Sequence, residues 1–477
     1  MLWHREDAMS RDCLFVRDLP YRDPLIYLAA VAGRPGTLLF DSAAPNDPRS
    51  RYSYLCTDPV ETITTPAHAR HSPDAAAVTA APLERLRARL RAWPQANDPD
   101  LPPFQGGAAG LFGYELGGYL EDLPESAPSG ADHPDMAVGL YDTVAAFDHH
   151  AGRAWVISTG YPERDAARRR RRAEARAEAL AQRLNEAVAP PAPEWIDLVW
   201  TSNTGHRAYL DKVARAIAYI QAGDIFQVNL SRELVADRPQ SLSALALYTE
   251  MRARTRAPFS AFMTLPDGRA VASFSPERFL QVDAEGRVET RPIKGTRPRG
   301  RTPEEDARLA QDLSAAAKDR AENLMIVDLL RNDLSRSCRI GSVRVPQLCG
   351  LESFDAVHHL VSVVTGRLQP GCNAVDLLAR AFPGGSITGA PKIRAMEIIH
   401  ELEGRRRGPY CGAMTWLGFN GAMDSSILIR TMSLDRTTVR YGVGGGIVAD
   451  SEPEAEWWET EVKAAAFLAP SSGQTPS

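Results

Sequence analysis

Lysine is scarce in this chain, and the surroundings of one lysine suggest chemistry. Five lysines stand among the 55 basic residues of 477, so arginine serves wherever only a positive charge is needed. An amine is required where a proton must be lost, because an ammonium can be deprotonated in a protein and a guanidinium cannot. Lys294 lies between Arg291 and Arg297. It is therefore a candidate nucleophile, and codon bias is the alternative explanation for its survival.

Glu277 is the candidate partner of this amine. It follows an apolar strand-like segment, residues 271–274, and precedes Lys294 by about one hairpin length. A carboxyl and an amine on adjacent strands can act as general acid and nucleophile. A structural salt bridge between the two is the alternative.

Two further glutamates are candidate metal ligands. Glu322 and Glu459 each lie in a segment with helical character. Carboxylates that face each other from two helices, together with waters and a substrate carboxylate, would form an octahedral oxygen site suited to Mg²⁺. Helices often carry solvated glutamates, which is the alternative.

Two glycine-rich segments suggest a small-molecule pocket. Residues 383–392 place glycines and hydroxyls before a helical segment, where backbone N–H groups can face an anion. The GxxxxGK(S/T) spacing is absent, which disfavours a nucleotide phosphate. Residues 442–448 predict a flexible stretch that lets a ligand approach the backbone. With Arg430 in a strand-like segment, residues 427–430, they suggest a pocket for a carboxylated molecule, and tight turns are the alternative.

The elements that position these residues divide the chain into two parts. Its length exceeds that of a usual single core, so two domains or two interlocked halves are expected. Proline-rich residues 187–193 predict a stiff linker. We therefore predict an N-terminal region at 1–186, a catalytic domain at 194–470 and a flexible tail at 471–477.

Hydrophobic periodicity predicts a mixture of helices and strands. Residues 104–118 predict a tightly packed turn and strand. The predicted strands are residues 36–42, 225–231, 260–265, 271–274 and 287–291. The predicted helices are residues 83–92, 164–184, 205–222, 316–330 and 393–402.

The composition excludes several classes of protein. A net charge of −5 gives no reason to expect a polyanion partner, and the basic run 168–172 fits a solvated helix face better than a nucleic-acid site. No apolar run approaches the roughly 18 residues of a membrane span. The six cysteines lack CxxC spacing, which argues against a zinc site or disulfides and favours the cytoplasm.

Taken in order, these segments resemble the chorismate-utilising enzymes related to anthranilate synthase component I. The resemblance is strongest from residue 223 to residue 463 and extends to residues 38–52 and 104–118. It implies an α+β fold of two interleaved halves, in which antiparallel sheets are sandwiched between helices.

Several segments distinguish branches of that family. Arg-Pro-Ile-Lys-Gly-Thr at 291–296 resembles the branch that aminates chorismate at C4, whereas anthranilate synthases carry alanine in place of Lys294. Residues 275–279 and 357–362 are similar to the same branch. Gln227 occupies the position where isochorismate and salicylate synthases carry a water-activating lysine, which disfavours hydroxylation.

The resemblance implies a reaction in two substitutions. Lys294 would attack C2 of chorismate while Glu277 protonates the departing 4-hydroxyl, and ammonia would then add at C4 and displace the lysine. The product would be 4-amino-4-deoxychorismate, on the route to 4-aminobenzoate and folate. Arg291 and Arg297 would help to keep Lys294 neutral if either points inward.

The resemblance also implies three sets of binding residues. Glu322 and Glu459 would hold Mg²⁺. The substrate would be bound by Gln227, His359, Thr388, Tyr410, Arg430, Gly444, Gly445, Gly446 and Lys463, among which Tyr410 is a partial departure because the aromatic residue varies at this position. The residues that match a tryptophan pocket are Ser42, Arg49, Ser50, Arg51, Tyr52, Pro258, Phe259 and Ser260.

Ammonia must come from another protein. None of the six cysteines lies in a GxCxG-like elbow, so the resemblance implies a separate glutamine amidotransferase subunit, and a separate pyridoxal-phosphate-dependent lyase for 4-aminobenzoate. An enzyme of the same fold that makes anthranilate, and a non-catalytic tryptophan-binding regulator, are the alternatives.

Overall fold

The computed structural model describes residues 14–44, 47–71, 82–124, 132–189, 197–354 and 357–468. The predicted tail at 471–477 and the end of the predicted linker, residues 190–193, lie outside these ranges. The described residues form helices and two antiparallel sheets, which confirms the predicted α+β class. The division into domains stays a prediction.

Several helices begin at recognisable capping residues. Asp165 accepts a hydrogen bond from the backbone of Arg168, and Asn373 and Asp376 form a capping box. The helices are α1 (Pro24–Val31), α2 (Pro82–Ala92), α3 (Ala166–Asn185), α4 (His206–Gln221), α5 (Ala244–Thr255), α6 (Pro303–Ala315), α7 (Ala317–Ser335), α8 (Ala374–Ala381), α9 (Lys392–Glu403) and α10 (Pro453–Leu468).

The strands come from the whole described length of the chain. The first group is β1 (Phe15–Leu19), β2 (Leu38–Asp41), β3 (Tyr52–Cys56), β4 (Glu61–Thr65), β5 (Gly107–Phe112), β6 (Met136–Tyr141), β7 (Thr143–Asp148), β8 (Arg153–Ser158), β9 (Trp200–Ser202), β10 (Gln227–Asp237) and β11 (Phe259–Thr264). The second group is β12 (Ala270–Ser275), β13 (Arg278–Val282), β14 (Arg287–Thr290), β15 (Ile293–Pro298), β16 (Arg344–Ser353), β17 (Val357–Arg367), β18 (Gly389–Ala390), β19 (Ala413–Gly418), β20 (Met423–Ile427), β21 (Thr431–Leu434) and β22 (Thr438–Ile447).

Each sheet combines strands from both sides of the predicted linker. The first follows the order β1-β8-β7-β3-β2-β11-β12-β21-β22-β10-β18, and β9 also pairs with β10. In the second, β15 and β14 pair with successive parts of β17, and the sheet continues through β13, β20, β19, β5, β6 and β4, while β16 pairs with β17. The contacts β2–β11 and β5–β19 join the two halves. The halves are therefore interleaved.

The core lies in three layers. One cluster fills the space between the sheets and includes Leu38 and Tyr54 from the first sheet and Leu111 and Met414 from the second. Two larger clusters lie between the outer faces of the sheets and the helices. The sheets are therefore sandwiched between helices, and burial of apolar surface on both faces holds them in register.

Most predicted elements are confirmed, with shifted ends. Helix α7 runs five residues beyond the predicted end at 330, and β10 starts two residues later than predicted and continues to Asp237. The predicted strand at 427–430 is wrong beyond Ile427, because Arg430 has a φ of +51° and lies in the connection to β21. Within the described ranges, no helix is both long enough and apolar enough to span a membrane.

Candidate active site

Lys294 lies at an irregular point of β15. It is opposite Leu360 of β17, and the pairing shifts between Lys294 and Thr296. The intervening Gly295 has a φ of +76°, and a Cβ there would come within 2.9 Å of Leu313. A glycine is therefore required at this position, and the irregularity sets the direction in which the Lys294 side chain leaves the strand.

Glu277 occupies the tight connection between β12 and β13 and is almost fully buried. Its backbone N–H donates to Ser275 Oγ at 3.2 Å, and its carbonyl accepts from Ile427 at 3.1 Å. Burial raises the pKa of Glu277 to about 7, against the opposing effects of a hydrogen bond with Ser386 and the charge of Lys294. A carboxyl with this pKa can donate a proton near neutral pH.

Lys294 and Glu277 belong to one site without forming a close salt bridge. Among the described residues, the ion pairs within 4.0 Å do not include these two groups, although the charge of Lys294 acts on the pKa of Glu277. Neither group is thus held in an ion pair with the other. Ser386, which the sequence analysis did not single out, lies in the 3-10 turn Gly385–Ile387, and a hydroxyl within a glycine-rich segment was its only sequence signal.

The two arginines beside Lys294 are paired elsewhere. Arg291 Nη2 donates to Glu352 Oε1 at 2.5 Å, and Arg297 Nη2 donates to Asp319 Oδ2 at 3.3 Å. Each arginine is thus paired with a carboxylate, on β16 or α7, and an influence of these arginines on Lys294 stays a prediction.

Glu322 on α7 and Glu459 on α10 come together beside Lys294. Burial raises the pKa of Glu322 against the opposing charges of Lys294 and Lys318, and the carboxylates of Asp319 and Glu459 add to the rise. Burial acts to raise the pKa of Glu459 as well, but Lys463, Lys318 and Lys294 outweigh it and the pKa is lowered. The two predicted ligands therefore interact electrostatically with each other and with the candidate nucleophile.

These two carboxylates fit the donor set of Mg²⁺. The described residues contain no group of three or more His, Cys, Asp or Glu side chains placed to hold a metal ion. Mg²⁺ is commonly held by one or two carboxylates, with waters and substrate oxygens at its other positions. A half-buried carboxylate beside like charges, as Glu322 is, gains from a nearby divalent cation.

A third carboxylate and a lysine complete the cluster, and the sequence analysis missed both. Glu456 is buried, accepts from Ser451 Oγ at 2.6 Å and lies 3.9 Å from Lys318 Nζ. A Cβ at Gly445 would lie 3.2 Å from Glu459 Oε1 and 3.4 Å from Glu456 Oε2. Glu456 and Glu459 are three residues apart on α10, and this spacing could have indicated that the two carboxylates lie close together.

The glycines at 444–446 form a regular strand, and the prediction of a flexible stretch is wrong. They lie in β22, where Gly446 is opposite Asn229 and Gly444 is opposite Ser231 of β10. A Cβ at Gly446 would overlap Nε2 of Gln227. The glycines therefore provide room beside the strand rather than mobility.

The segment before α9 contains a short strand. Gly389 and Ala390 form the short strand β18 against Gln227 and Val228, and the helix starts at Lys392. A Cβ at Gly389 would overlap the carbonyl oxygen of Gln227. Thr388 is buried, and its hydroxyl donates to the carbonyl of Gly384 at 3.0 Å.

His359, Arg430 and Tyr410 lie around the same region. His359 Nδ1 is 2.9 Å from Thr296 Oγ1, and burial together with Arg430 lowers the pKa of His359 to about 4, so the imidazole is neutral at pH 7. Within the described part of the chain, no carboxylate pairs with Arg430 inside 4.0 Å. Tyr410 is buried, and its ring lies directly under Gly442.

Three lysines have partners that define their roles. Lys463 Nζ is 2.6 Å from Glu459 Oε1 and donates to Gly444 O at 3.0 Å. Lys392 Nζ is 2.7 Å from both Asp333 Oδ2 and Ala381 O, which makes it a structural residue. Lys212, on α4, donates to Thr204 at 3.5 Å.

Besides the site around Lys294, a cavity of about 260 Å³, here called the second cavity, lies between the two halves of the chain. Seven of the eight residues predicted for the tryptophan pocket line it, namely Ser42, Arg49, Arg51, Tyr52, Pro258, Phe259 and Ser260. Ser50 is buried and does not line the cavity. Arg278, Asp424, Met414 and Trp416 also line it, and the sequence analysis did not identify them.

Known proteins resemble the chain over nearly its whole length. Residues 37–469 match the family described as chorismate binding enzyme. The chain is 44% identical over 460 residues to aminodeoxychorismate synthase component 1 of Salmonella typhimurium, covering 95% of this chain and 97% of that protein. It is 43% identical over 399 residues to anthranilate synthase component 1 of Streptomyces coelicolor, with 81% and 76% covered. The crystal structure of anthranilate synthase component I from Streptococcus pneumoniae superposes with a TM-score of 0.76 at 32% identity, covering 89% and 93%.

Proposed function

The chain belongs to the family of chorismate binding enzymes, and from this premise we propose that it converts chorismate and ammonia to 4-amino-4-deoxychorismate. Its general function is that of a chorismate-utilising synthase. The observation that carries the finer proposal is the placement of the amine of Lys294 and the near-neutral carboxyl of Glu277 in one site.

The reaction proceeds through two substitutions in which all atoms are accounted for. The neutral amine of Lys294 forms a bond to C2, the ring double bonds shift, and the 4-hydroxyl leaves as water with the proton of Glu277. Ammonia then forms a bond to C4, the double bonds shift back, and the Lys294–C2 bond breaks. Returning a proton to Glu277 from the incoming nitrogen restores the enzyme. Nitrogen thus ends at C4, because direct addition of ammonia at C2 is replaced by addition of the lysine.

The carboxylated substrate is proposed to bind between the glycine strand and Arg430. Gly444, Gly445 and Gly446 leave space over β22, and Arg430 offers a guanidinium that no described carboxylate neutralises. Glu322 and Glu459 would hold Mg²⁺, which when bound neutralises the ring carboxylate and orients the substrate. Lys463 contacts the carboxylate of Glu459 and the backbone carbonyl of Gly444.

Ammonia is proposed to come from a separate glutamine amidotransferase subunit. The designation of the Salmonella relative as component 1 supports a second component. The described cysteines are unpaired: Cys56, Cys338, Cys349, Cys372 and Cys411. Unpaired cysteines fit a reducing compartment, and we propose the cytoplasm.

The second cavity is proposed to take tryptophan. An aromatic wall, provided by Phe259 and Trp416, and charged groups at Arg49 and Asp424 suit an amino acid with an aromatic side chain. Equilibrium dialysis against tryptophan tests this assignment, with phenylalanine as the matched competitor. Retention of neither amino acid would overturn it.

Mass spectrometry of the product tests the proposed reaction. The protein is incubated with chorismate, Mg²⁺ and ammonium, and the expected product is 4-amino-4-deoxychorismate. A fluorescent anthranilate product would instead place the chain with the Streptomyces relative and overturn the proposal. With glutamine as the sole nitrogen source the protein alone should give no aminated product, and amination under that condition would refute the need for a second subunit.

A further inference from the structure

The ammonium of Lys463 is paired with Glu459, one of the two carboxylates proposed to hold the metal. Nζ of Lys463 lies 2.6 Å from Oε1 of Glu459, one helical turn away on α10. The same nitrogen donates to the carbonyl of Gly444 at 3.0 Å. Lys463 thus links α10 to the glycine strand, at the place where the proposed metal site and the proposed substrate site meet.

Mg²⁺ and this ammonium cannot both use the same oxygen of Glu459. Mg²⁺ binds carboxylate oxygens at about 2.0–2.1 Å and requires near-octahedral geometry. An ammonium 2.6 Å from that oxygen would stand next to the ion with a charge of the same sign. The Lys463 side chain is about half exposed, and its flexible four-carbon chain allows the ammonium to move away from Glu459.

We propose that Lys463 is a displaceable cation of the metal site: a divalent ion that binds Glu459 releases the ammonium, which then binds a carboxylate of the substrate beside Gly444. The proposal rests on the proposed function for the metal and for the carboxylated substrate. Its consequence is that metal and substrate bind cooperatively through Lys463, and this coupling is necessarily reciprocal.

Calorimetric titration with Mg²⁺ alone, in the absence of chorismate, tests the competition. Lys463→Met should bind Mg²⁺ at least about fivefold more tightly than the unsubstituted protein, and Lys463→Arg should stay close to it. Lys318→Met is the matched control, since it removes the same charge from the same cluster, 3.9 Å from Glu456. An unchanged affinity in Lys463→Met, or an equal gain in Lys318→Met, would overturn the proposal.

Lysine labelling provides a second test on the unsubstituted chain. With only five lysines, acetylation by a limiting reagent can be followed at each of them by peptide mass spectrometry. Mg²⁺ should raise the labelling of Lys463 several-fold, and further addition of chorismate without ammonium should lower it again. Lys212 and Lys392 serve as internal references. Labelling of Lys463 that does not respond to a bound ion would refute the exchange.

The outcomes separate this proposal from the proposed reaction. If the protein forms 4-amino-4-deoxychorismate but Mg²⁺ does not release Lys463, the proposed reaction stands and the proposed exchange is refuted. Conversely, exchange in a protein that forms anthranilate would leave the metal coupling in place and refute only the assignment of the product.

Discussion

Lys294 Nζ lies 3.7 Å from the point that a Cβ at Gly446 would occupy. The same Cβ would overlap Nε2 of Gln227. Strand β22 therefore makes room for the amine and the amide by lacking a side chain at this position, although the backbone of Gly446 is an ordinary strand in register with Asn229.

Gly446→Ala should impair catalysis more than folding. The methyl group displaces Gln227 and crowds Lys294, so kcat/KM should fall at least about tenfold, since small displacements of reacting groups carry costs of this order. The side chain of Gln227 can move, so the free energy of unfolding should change by less than about 1 kcal/mol. Steady-state kinetics and urea unfolding measure the two effects.

Gly444→Ala is the control for this substitution, because its Cβ would overlap the backbone carbonyl of Leu230. A backbone atom in a paired strand cannot move alone, so this variant should lose stability as well as activity. If Gly446→Ala unfolds as readily as Gly444→Ala, the space at Gly446 serves packing rather than the reacting groups.

Replacing Lys294 should remove the covalent route. In Lys294→Ala the rate of chorismate amination at C4 should fall at least roughly 10³-fold, since loss of a nucleophile has effects of this size or larger. Any residual product should carry nitrogen at C2, because ammonia can then attack that carbon directly. Mass spectrometry and anthranilate fluorescence of the same reaction distinguish the two positions.

Lys294→Arg provides the charge-retaining comparison. A guanidinium keeps the positive charge but does not lose its proton, so this variant should be no more active than Lys294→Ala. Full activity in Lys294→Arg would show that Lys294 acts as a charge and not as a nucleophile.

The local patterns in the sequence indicated helices and strands but not the partners that these elements meet. Residues 83–92 and 205–222 form the predicted helices α2 and α4, because their apolar residues recur at the spacing of one helix face. The pairing of β2 with β11 joins residues more than 200 positions apart, and no periodicity within either strand encodes the choice of partner. Chain length left two domains and two interlocked halves open, and only the family resemblance favoured interleaving.

The candidate site shows the same limit. The prediction that Glu277 and Lys294 lie on adjacent strands is wrong, because Glu277 connects β12 to β13 whereas Lys294 lies on β15, which pairs with β17. The pairing of Arg291 with Glu352 and of Arg297 with Asp319 depends on β16 and α7. The glycines at 444–446 indicated a flexible stretch, whereas their pairing with β10 makes this stretch a strand. In each case a long-range contact decided the outcome.

Lys392 should prove structural despite its place beside the glycine-rich segment. Its ammonium pairs with Asp333, and both groups are largely buried. Lys392→Met leaves that carboxylate without a partner, and removing one member of a buried pair costs roughly 3–5 kcal/mol in the free energy of unfolding. Urea unfolding measures the loss. The double variant Lys392→Met with Asp333→Leu should recover most of it, whereas lost activity at unchanged stability would assign Lys392 to substrate binding.

The pH dependence of kcat/KM should report Glu277. Burial raises the pKa of this carboxyl to about 7, and the proposed proton donor must be protonated. At a constant concentration of free ammonia, the ratio of kcat/KM to that of Glu277→Gln, in which the other ionising groups are unchanged, should therefore show a limb that falls about tenfold for each pH unit above about 7. Glu277→Gln should lower the rate and abolish this limb. A limb that persists in Glu277→Gln would belong to another group.

The same carboxyl should also make stability depend on pH, in a direction opposite to that of most acidic residues. The pKa of folded Glu277 is about 7 against an ordinary value of 4.5, so between these values the folded protein binds more protons than the unfolded chain. Stability from this group is complete below about pH 4.5 and is lost as the pH rises through about 7. Glutamine is neutral throughout, so Glu277→Gln does not lose this stability. The free energy of unfolding of Glu277→Gln minus that of the unsubstituted protein should therefore rise by about 3 kcal/mol between pH 4.5 and pH 8, at about 1.36 kcal/mol per pKa unit. Urea unfolding across this range measures the difference. Parallel curves for the two proteins would show that Glu277 is already ionised at pH 5 and would remove its role as the proton donor.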